Sequence, residues 1–262
     1  MIGPVTTRRE GGAAWVTINR PEAANALDQP TKDGILAALE QAAADPSARV
    51  VALTGTGRAF CAGQDLRELQ GSRASGEIDL GDALKTFYEP AVRLLAEMAK
   101  PTVAVVNGVA AGAGASLALA CDLRVAAASA RFKLAFSGIA LIPDAGSTWH
   151  LPRLVGLSNA LRLALLDDTV GAEEARRIGL VSRVWPDEEL ADRAGELIAR
   201  LAAGPTGAHA AAKRLLRASL EADLPTALAA EAKAQAAAAS SADHAEGVSA
   251  FVAKRAPAFT GS

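Results

Sequence analysis

Two short apolar runs in this chain each end in a glycine-bearing turn and pass straight into a segment with helical spacing. The first, residues 50–53, leads through Thr54-Gly55 to Arg58-Ala59-Phe60-Cys61-Ala62-Gly63-Gln64-Asp65-Leu66. The second, Thr102–Val106, leads to Asn107-Gly108-Val109-Ala110-Ala111-Gly112-Ala113-Gly114-Ala115. Apolar runs of this length bounded by turn residues read as buried strands. Small residues after them let a ligand approach the main chain, and a helix starting there aims unpaired N–H groups and the positive end of its dipole outward. Side by side, the two turns would make an oxyanion hole with Gln64 N–H and Ala113 N–H as donors. On the residues alone, close strand–helix packing is the commoner reason for either turn. The glycine spacing fits neither a dinucleotide fingerprint nor a phosphate loop, since no Lys-Ser/Thr comes after it.

The remaining pattern alternates strands and helices. Residues 5–9 and 13–19 around Glu10-Gly11-Gly12 read as a hairpin. Thr31 is placed to cap a helix reaching about Ala44, with Ile35, Leu36 and Leu39 on its buried face. Residues 55–63 read as a loop, 71–82 as a mobile surface segment, 84–98 as a helix stopped by Pro101, 112–120 as a small-residue helix, and Leu123–Ala127 as a strand. Strands separated by helices argue for an α/β fold with a parallel or mixed sheet. After Trp185-Pro186 the character changes: residues 188–202, 206–222 and 225–240 are Ala-rich helical segments with no strand between them. Such a tail has little core of its own and should pack on the α/β body or on a neighbouring subunit. The expected organisation is therefore an α/β core over residues 1–186 and a C-terminal helical segment over 187–262.

The 262 residues are half hydrophobic, with 27 basic and 29 acidic side chains and a net charge of −2. That balance gives no pull toward nucleic acid or a membrane surface. The longest apolar stretch, around residues 109–121, is interrupted by Gly112, Gly114 and Ser116 and is too short to span a bilayer. The two cysteines, Cys61 and Cys121, sit in apolar motifs, so a reduced, cytoplasmic setting is expected. His150, His209 and His244 are widely separated, and no metal site is expected.

Asn19-Arg20-Pro21 with Asn25-Ala26-Leu27, then the two turns, resemble the crotonase (enoyl-CoA hydratase/isomerase) superfamily in order and spacing. The likeness continues through Ile142-Pro143-Asp144-Ala145-Gly146, Leu151-Pro152-Arg153-Leu154-Val155-Gly156 and residues 172–179 to the terminal Glu246-Gly247-Val248-Ser249-Ala250-Phe251-Val252-Ala253-Lys254-Arg255. It implies a ClpP-like fold of repeated ββα units in a spiral catalytic core over residues 1–186, with a C-terminal helical oligomerisation segment over 187–262 that builds homotrimers or dimers of trimers. It also implies an acyl-CoA thioester substrate, coenzyme A being part of that substrate and no separate cofactor needed. By position, the oxyanion donors fall on Gln64 and Ala113. The CoA and acyl contacts fall on Ala24, Ala26, Ala62, Gly63, Gln64, Asp65, Leu66, Ala111, Gly112 and Phe136. Arg67, and Lys254 from a neighbouring subunit, are placed as partners for CoA phosphates, although each alone reads equally well as a solvated charge.

Hydratases of this superfamily use two glutamates, whose positions here hold Ser116 and Phe136. Neither is a strong base. Asp144 is the carboxylate left to move a proton. On the residues alone it would more commonly cap the helical turn after it; the resemblance, with the usual acid/base sites vacated, points to a proton shuttle instead. An apolar surround with Phe136 should raise its pKa. Within the superfamily the likeness runs to isomerases of ring-1,2-epoxyphenylacetyl-CoA, for which epoxide opening to an oxepin and Δ3-to-Δ2 double-bond shifts are expected. Phe87, Tyr88, Phe136 and Trp149 are candidates for an aromatic acyl pocket, with core packing the preferred fate of at least two. The rival readings are a hydratase, a thioester hydrolase or dehalogenase using Asp144 as nucleophile, and a catalytically idle acyl-CoA-binding protein.

Overall fold

The computed structural model of the chain describes residues 3–75 and 80–262. Strands β1 (Val5–Glu10) and β2 (Ala13–Ile18) form the expected antiparallel hairpin, with Gly11 supplying the positive φ that its tight turn needs. Helix α1 (Gln29–Ala44) buries Ile35 and Leu39 completely. Its cap is Asp28, not Thr31: the Asp28 carboxylate accepts from Thr31 N–H at 3.0 Å, and Pro30 occupies the first turn, where no N–H is missed. Thr31 stands three residues inside, as the donor in that same cap.

The long strands β3 (Val50–Gly55), β5 (Thr102–Val106) and β7 (Leu123–Ala127) are parallel and join β1, β2 and β10 (Arg183–Trp185) in a six-stranded sheet ordered β1-β2-β3-β5-β7-β10. Val50, Val51, Ala52 and Leu53 are fully buried, as expected for a parallel sheet covered on both faces. Each long strand is followed by a short one: β4 (Ala59–Cys61), β6 (Val109–Ala111) and β8 (Arg131–Lys133), which with β9 (Val170–Gly171) make a second, four-stranded sheet. The expected 55–63 loop thus contains a strand. Helices then close each unit: α2 (Leu66–Ser75) after β4, α5 (Ala113–Ala120) after β6, and α6 (Ser147–Leu166, interrupted at Gly156) after β8. This is the repeated ββα plan.

The expected mobile segment 71–82 lies partly outside the described residues; its start belongs to α2, and a short helix α3 (Leu80–Ala83) covers its end. Residues 84–88 form a π-helical turn leading into α4 (Glu89–Glu97). Helix α4 packs against both α1 and α5, while α8 (Leu190–Ala202), reached through α7 (Ala172–Arg177), packs on β2, β3 and β7. Of the last helices, α9 (Thr206–Ser219), α10 (Leu224–Ala239) and α11 (Ala242–Val252), the first is held to the body by charged anchors, and α10 packs on α9 and α11. Lys213 and Arg217 of α9 pair with Asp122 at 2.8 and 3.0 Å, and Arg49 donates to Thr206 Oγ1 and to the carbonyls of Gly204 and Phe259. Leu216, Leu220, Leu224, Leu228, Phe251 and Val252 of this region are exposed. Among the described residues no helix is long and apolar enough to cross a membrane.

Candidate active site

The two turns meet where the short strands hand over to helices. Gly63 has φ +91°, and a methyl group on it would sit 2.8 Å from Ala111 O and 3.3 Å from Ala113 N. Only glycine allows this approach. Leu27 N–H donates to Gly63 O at 2.8 Å, and Asp65 N–H returns to Leu27 O at 3.1 Å. Because a trans peptide directs its C=O and N–H in opposite senses, fixing Gly63 O toward Leu27 turns Gln64 N–H the other way. The same logic governs the second turn. Ser116 N–H takes Gly112 O at 3.1 Å inside the first turn of α5, so Ala113 N–H points back out of the helix start. Neither N–H finds an acceptor among the described residues. Two free donors on adjoining backbones are what a developing oxyanion requires.

Asn25 builds the wall behind them. Fully buried at φ +59°, it accepts from Arg20 N–H at 2.8 Å and donates to Thr56 O and Ala59 O at 2.9 and 2.7 Å. Ala62 N–H closes on Ala24 O, itself in a left-handed conformation, so Ala24, Ala26 and Ala62 lie along one stitched seam. Cys61 lies under the seam with its thiol pushed up to about 12 by burial, although the Gly63 N–H works against the shift. It is a packed, protonated thiol rather than a nucleophile.

Asp65 has a structural occupation. Its carboxylate takes Arg20 from both terminal nitrogens at 3.2 Å and caps α2 through Arg67 N–H and Glu68 N–H. Burial alone would raise its pKa, but those N–H groups and the Arg20 guanidinium hold it below the ordinary carboxylate value. Leu66 is exposed beside it, and Arg67 is exposed without an ion pair among the described residues. Lys254 stands exposed after α11 with φ +52° and forms no hydrogen bond or ion pair with either turn of its own chain.

Asp144 does not cap α6 with its side chain. Its carbonyl does that work, accepting Ser147 N–H at 2.9 Å and Ser147 Oγ–H at 2.7 Å, while Gly146 at φ +75° takes the cap position. The side chain is left over: Asp144 Oδ1 is buried with no hydrogen-bond partner among the described residues. Desolvation raises its pKa to about 6. A carboxylic acid titrating near neutrality with a vacant oxygen is equipped to take and return a proton.

Ser116 is fully buried, its hydroxyl turned back onto Gly112 O at 3.3 Å, and Phe136 is buried beside the 3-10 turn Ser137–Ile139. Phe87, Tyr88 and Phe136 are packed into the core, whereas Trp149 lies under Arg153, 4.1 Å from the guanidinium carbon, and donates to Glu221 at 3.3 Å. His150 is buried and pushed down to about 3, by burial first and then by Arg217, Arg124 and Arg153. A groove of about 720 Å³ runs between α9, α10, α11 and the terminal residues, and none of the site residues above lines it.

Two contributors escaped the sequence reading. Arg20 bridges Asp65, Asp28 and Ala26 O, and Tyr88 donates to Gln64 Oε1 at 2.8 Å. Arg20 was visible only as part of a motif, and Tyr88 only as an aromatic, because the Arg20–Asp65 and Tyr88–Gln64 contacts join residues 45 and 24 apart in sequence.

Comparison with known proteins gives a consistent family. Residues 8–262 match the enoyl-CoA hydratase/isomerase family. A 1,2-epoxyphenylacetyl-CoA isomerase of Escherichia coli K12 is 45% identical over the whole of both chains. A probable enoyl-CoA hydratase of Rhodobacter capsulatus is 46% identical over 95% of each. A solved structure described as a putative enoyl-CoA hydratase/isomerase from Mycobacterium abscessus superposes with a TM-score of 0.94 at 40% identity, covering 98% of this chain and all of that one.

Proposed function

The chain belongs to the enoyl-CoA hydratase/isomerase family, and from that premise we propose that it isomerises acyl-CoA thioesters, with Asp144 moving the proton. In this reading Gln64 N–H and Ala113 N–H receive the thioester oxygen. Ionised Asp144 takes a proton from the carbon next to the carbonyl, and the electron pair spreads onto the oxygen as an enolate. With a double bond at the Δ3 position, the same carboxyl returns the proton at the far end of the conjugated system, leaving the Δ2 isomer. No water is consumed and nothing is oxidised. The aryl version is the opening of ring-1,2-epoxyphenylacetyl-CoA to an oxepin, the reading supported by the isomerase relative.

The observation that carries this is the vacant, buried Asp144 oxygen. Ser116 and Phe136 offer no carboxylate to orient water, which sets isomerisation ahead of hydration. Relatives named as hydratases keep hydration as the second reading, and crotonyl-CoA discriminates: sustained loss of its enoyl absorbance would favour water addition. The exposed apolar residues of α9–α11 support assembly into homotrimers or pairs of trimers, with Lys254 then free to meet CoA phosphates of a neighbouring site. Two buried thiols suit a cytoplasmic setting.

The test is Asp144→Asn. Isomerisation of a 3-enoyl-CoA should fall by about 10²–10⁴, the ordinary worth of a general base, while CoA-ester binding persists. Turnover within a factor of a few of the native enzyme sinks the assignment.

A further inference from the structure

Tyr88 ends the π-helical turn of residues 84–88. Such turns insert an extra residue and shift the register of the helix after them, and they gather at functional sites. Here the result is that two consecutive side chains, Phe87 and Tyr88, are both buried, ring against ring at 4.8 Å. The Tyr88 hydroxyl reaches Gln64 Oε1 at 2.8 Å, and the other end of that carboxamide donates from Nε2 to Glu68 Oε2 at 3.1 Å. Glu68 in turn accepts from Gln29 N–H at 2.8 Å and faces Lys32 Nζ at 3.5 Å. A carboxylate only accepts, so the amide must present its NH₂ to Glu68 and its oxygen to Tyr88, and Tyr88 must be the donor. Burial first, and then the charge of Asp144, keep that phenol protonated by pushing its pKa up.

We infer that Tyr88 is a positioning residue of the oxyanion hole, acting through the Gln64 side chain. The inference rests on the reading that Gln64 N–H polarises the thioester. The peptide between Gly63 and Gln64 is the weak point of the hole, because glycine lets a peptide unit rotate at low cost. Leu27 holds its oxygen. Rotation about the Gln64 N–Cα bond, which would swing the N–H away, is opposed by a side chain pinned at both ends of its amide.

The experiment uses the full chain and phenylacetyl-CoA carrying a ¹³C carbonyl, a thioester with no double bond to move. Infrared difference spectra read the carbonyl stretch of the bound ester, and 3-enoyl-CoA isomerisation gives kcat and KM. In the native enzyme the stretch moves to lower frequency. Tyr88→Phe, which keeps the ring and removes only the hydroxyl, should shrink that shift and lower kcat about tenfold, with KM within about twofold, as expected for one weakened transition-state hydrogen bond. Gln64→Leu severs the same link from the other side and should match it, and the double variant should add nothing further. A full carbonyl shift in Tyr88→Phe, or additive losses in the double variant, overturns the positioning role while leaving the hole intact. No shift in the native enzyme overturns the hole itself.

Discussion

Replacing Asp144 by Asn should make the protein more stable as well as inactive. Asp144 has its pKa raised from the ordinary 3.8 to about 6 by desolvation. A carboxyl with a raised pKa in the fold binds its proton more tightly there than in the unfolded chain. The contribution of Asp144 to stability is therefore most favourable below pH 3.8, falls as pH rises from 3.8 to about 6, and stays at the lower level above. At about 1.4 kcal/mol per pKa unit the ceiling on this penalty is about 3 kcal/mol. The residue is only half-buried, so solvent screening brings the realistic figure to about 1 kcal/mol. Asn keeps the shape and carries no charge. Thermal melts of both proteins from pH 4 to 8 should show the variant ahead by about 2–4 °C above pH 6 and level near pH 4. A variant that melts with or below the native protein at pH 7.5, or a gap that ignores pH, would refute the claim that a desolvated carboxylate sits at this site.

The same titration should appear in catalysis: kcat/KM for isomerisation should rise with pH through a limb near 6, and the limb should vanish with the residual rate of Asp144→Asn. Gly63→Ala places a methyl group 2.8 Å from Ala111 O at a φ of +91°, so it should part the two turns. Loss of at least about 10² in kcat, with the circular dichroism spectrum preserved, is the expected result. Asn25→Ala removes three hydrogen bonds from a fully buried site, and urea denaturation should show a loss of about 2–4 kcal/mol.

The long strands and the helix spacing were legible because β3, β5 and β7 are mostly apolar runs, whose pattern needs no partner to be read. β4, β6 and β8 were not. Three residues give too little alternation, and they are strands only because each lies against the next. Thr31 was the wrong cap for a local reason: Asp28, three residues earlier, is also a good capping residue, and Pro30 favours it by fitting the first turn. Gln64, Ala113 and Asp144 were all named from sequence, but their arrangement was not. The direction of an N–H depends on where the neighbouring carbonyl is held, and that is set by Leu27 and Ser116. Nor does any local pattern announce that Asp144 caps with its main chain and leaves its carboxyl idle.

Every residue of α5 is buried, from Ala113, with its outward N–H, to Ala120. One of the two proposed carbonyl donors is thus anchored in a fully buried helix, where almost any substitution would disturb packing. Asp144 and Phe136 occupy the loops between β8 and α6, where the chain is bound by turns rather than by a sheet. On the proposed mechanism, carbonyl activation is therefore hard to lose by mutation, and the proton-handling group is easy to move. A laboratory selection for new thioester reactions on this scaffold should find its gains between residues 134 and 146 and almost none within α5.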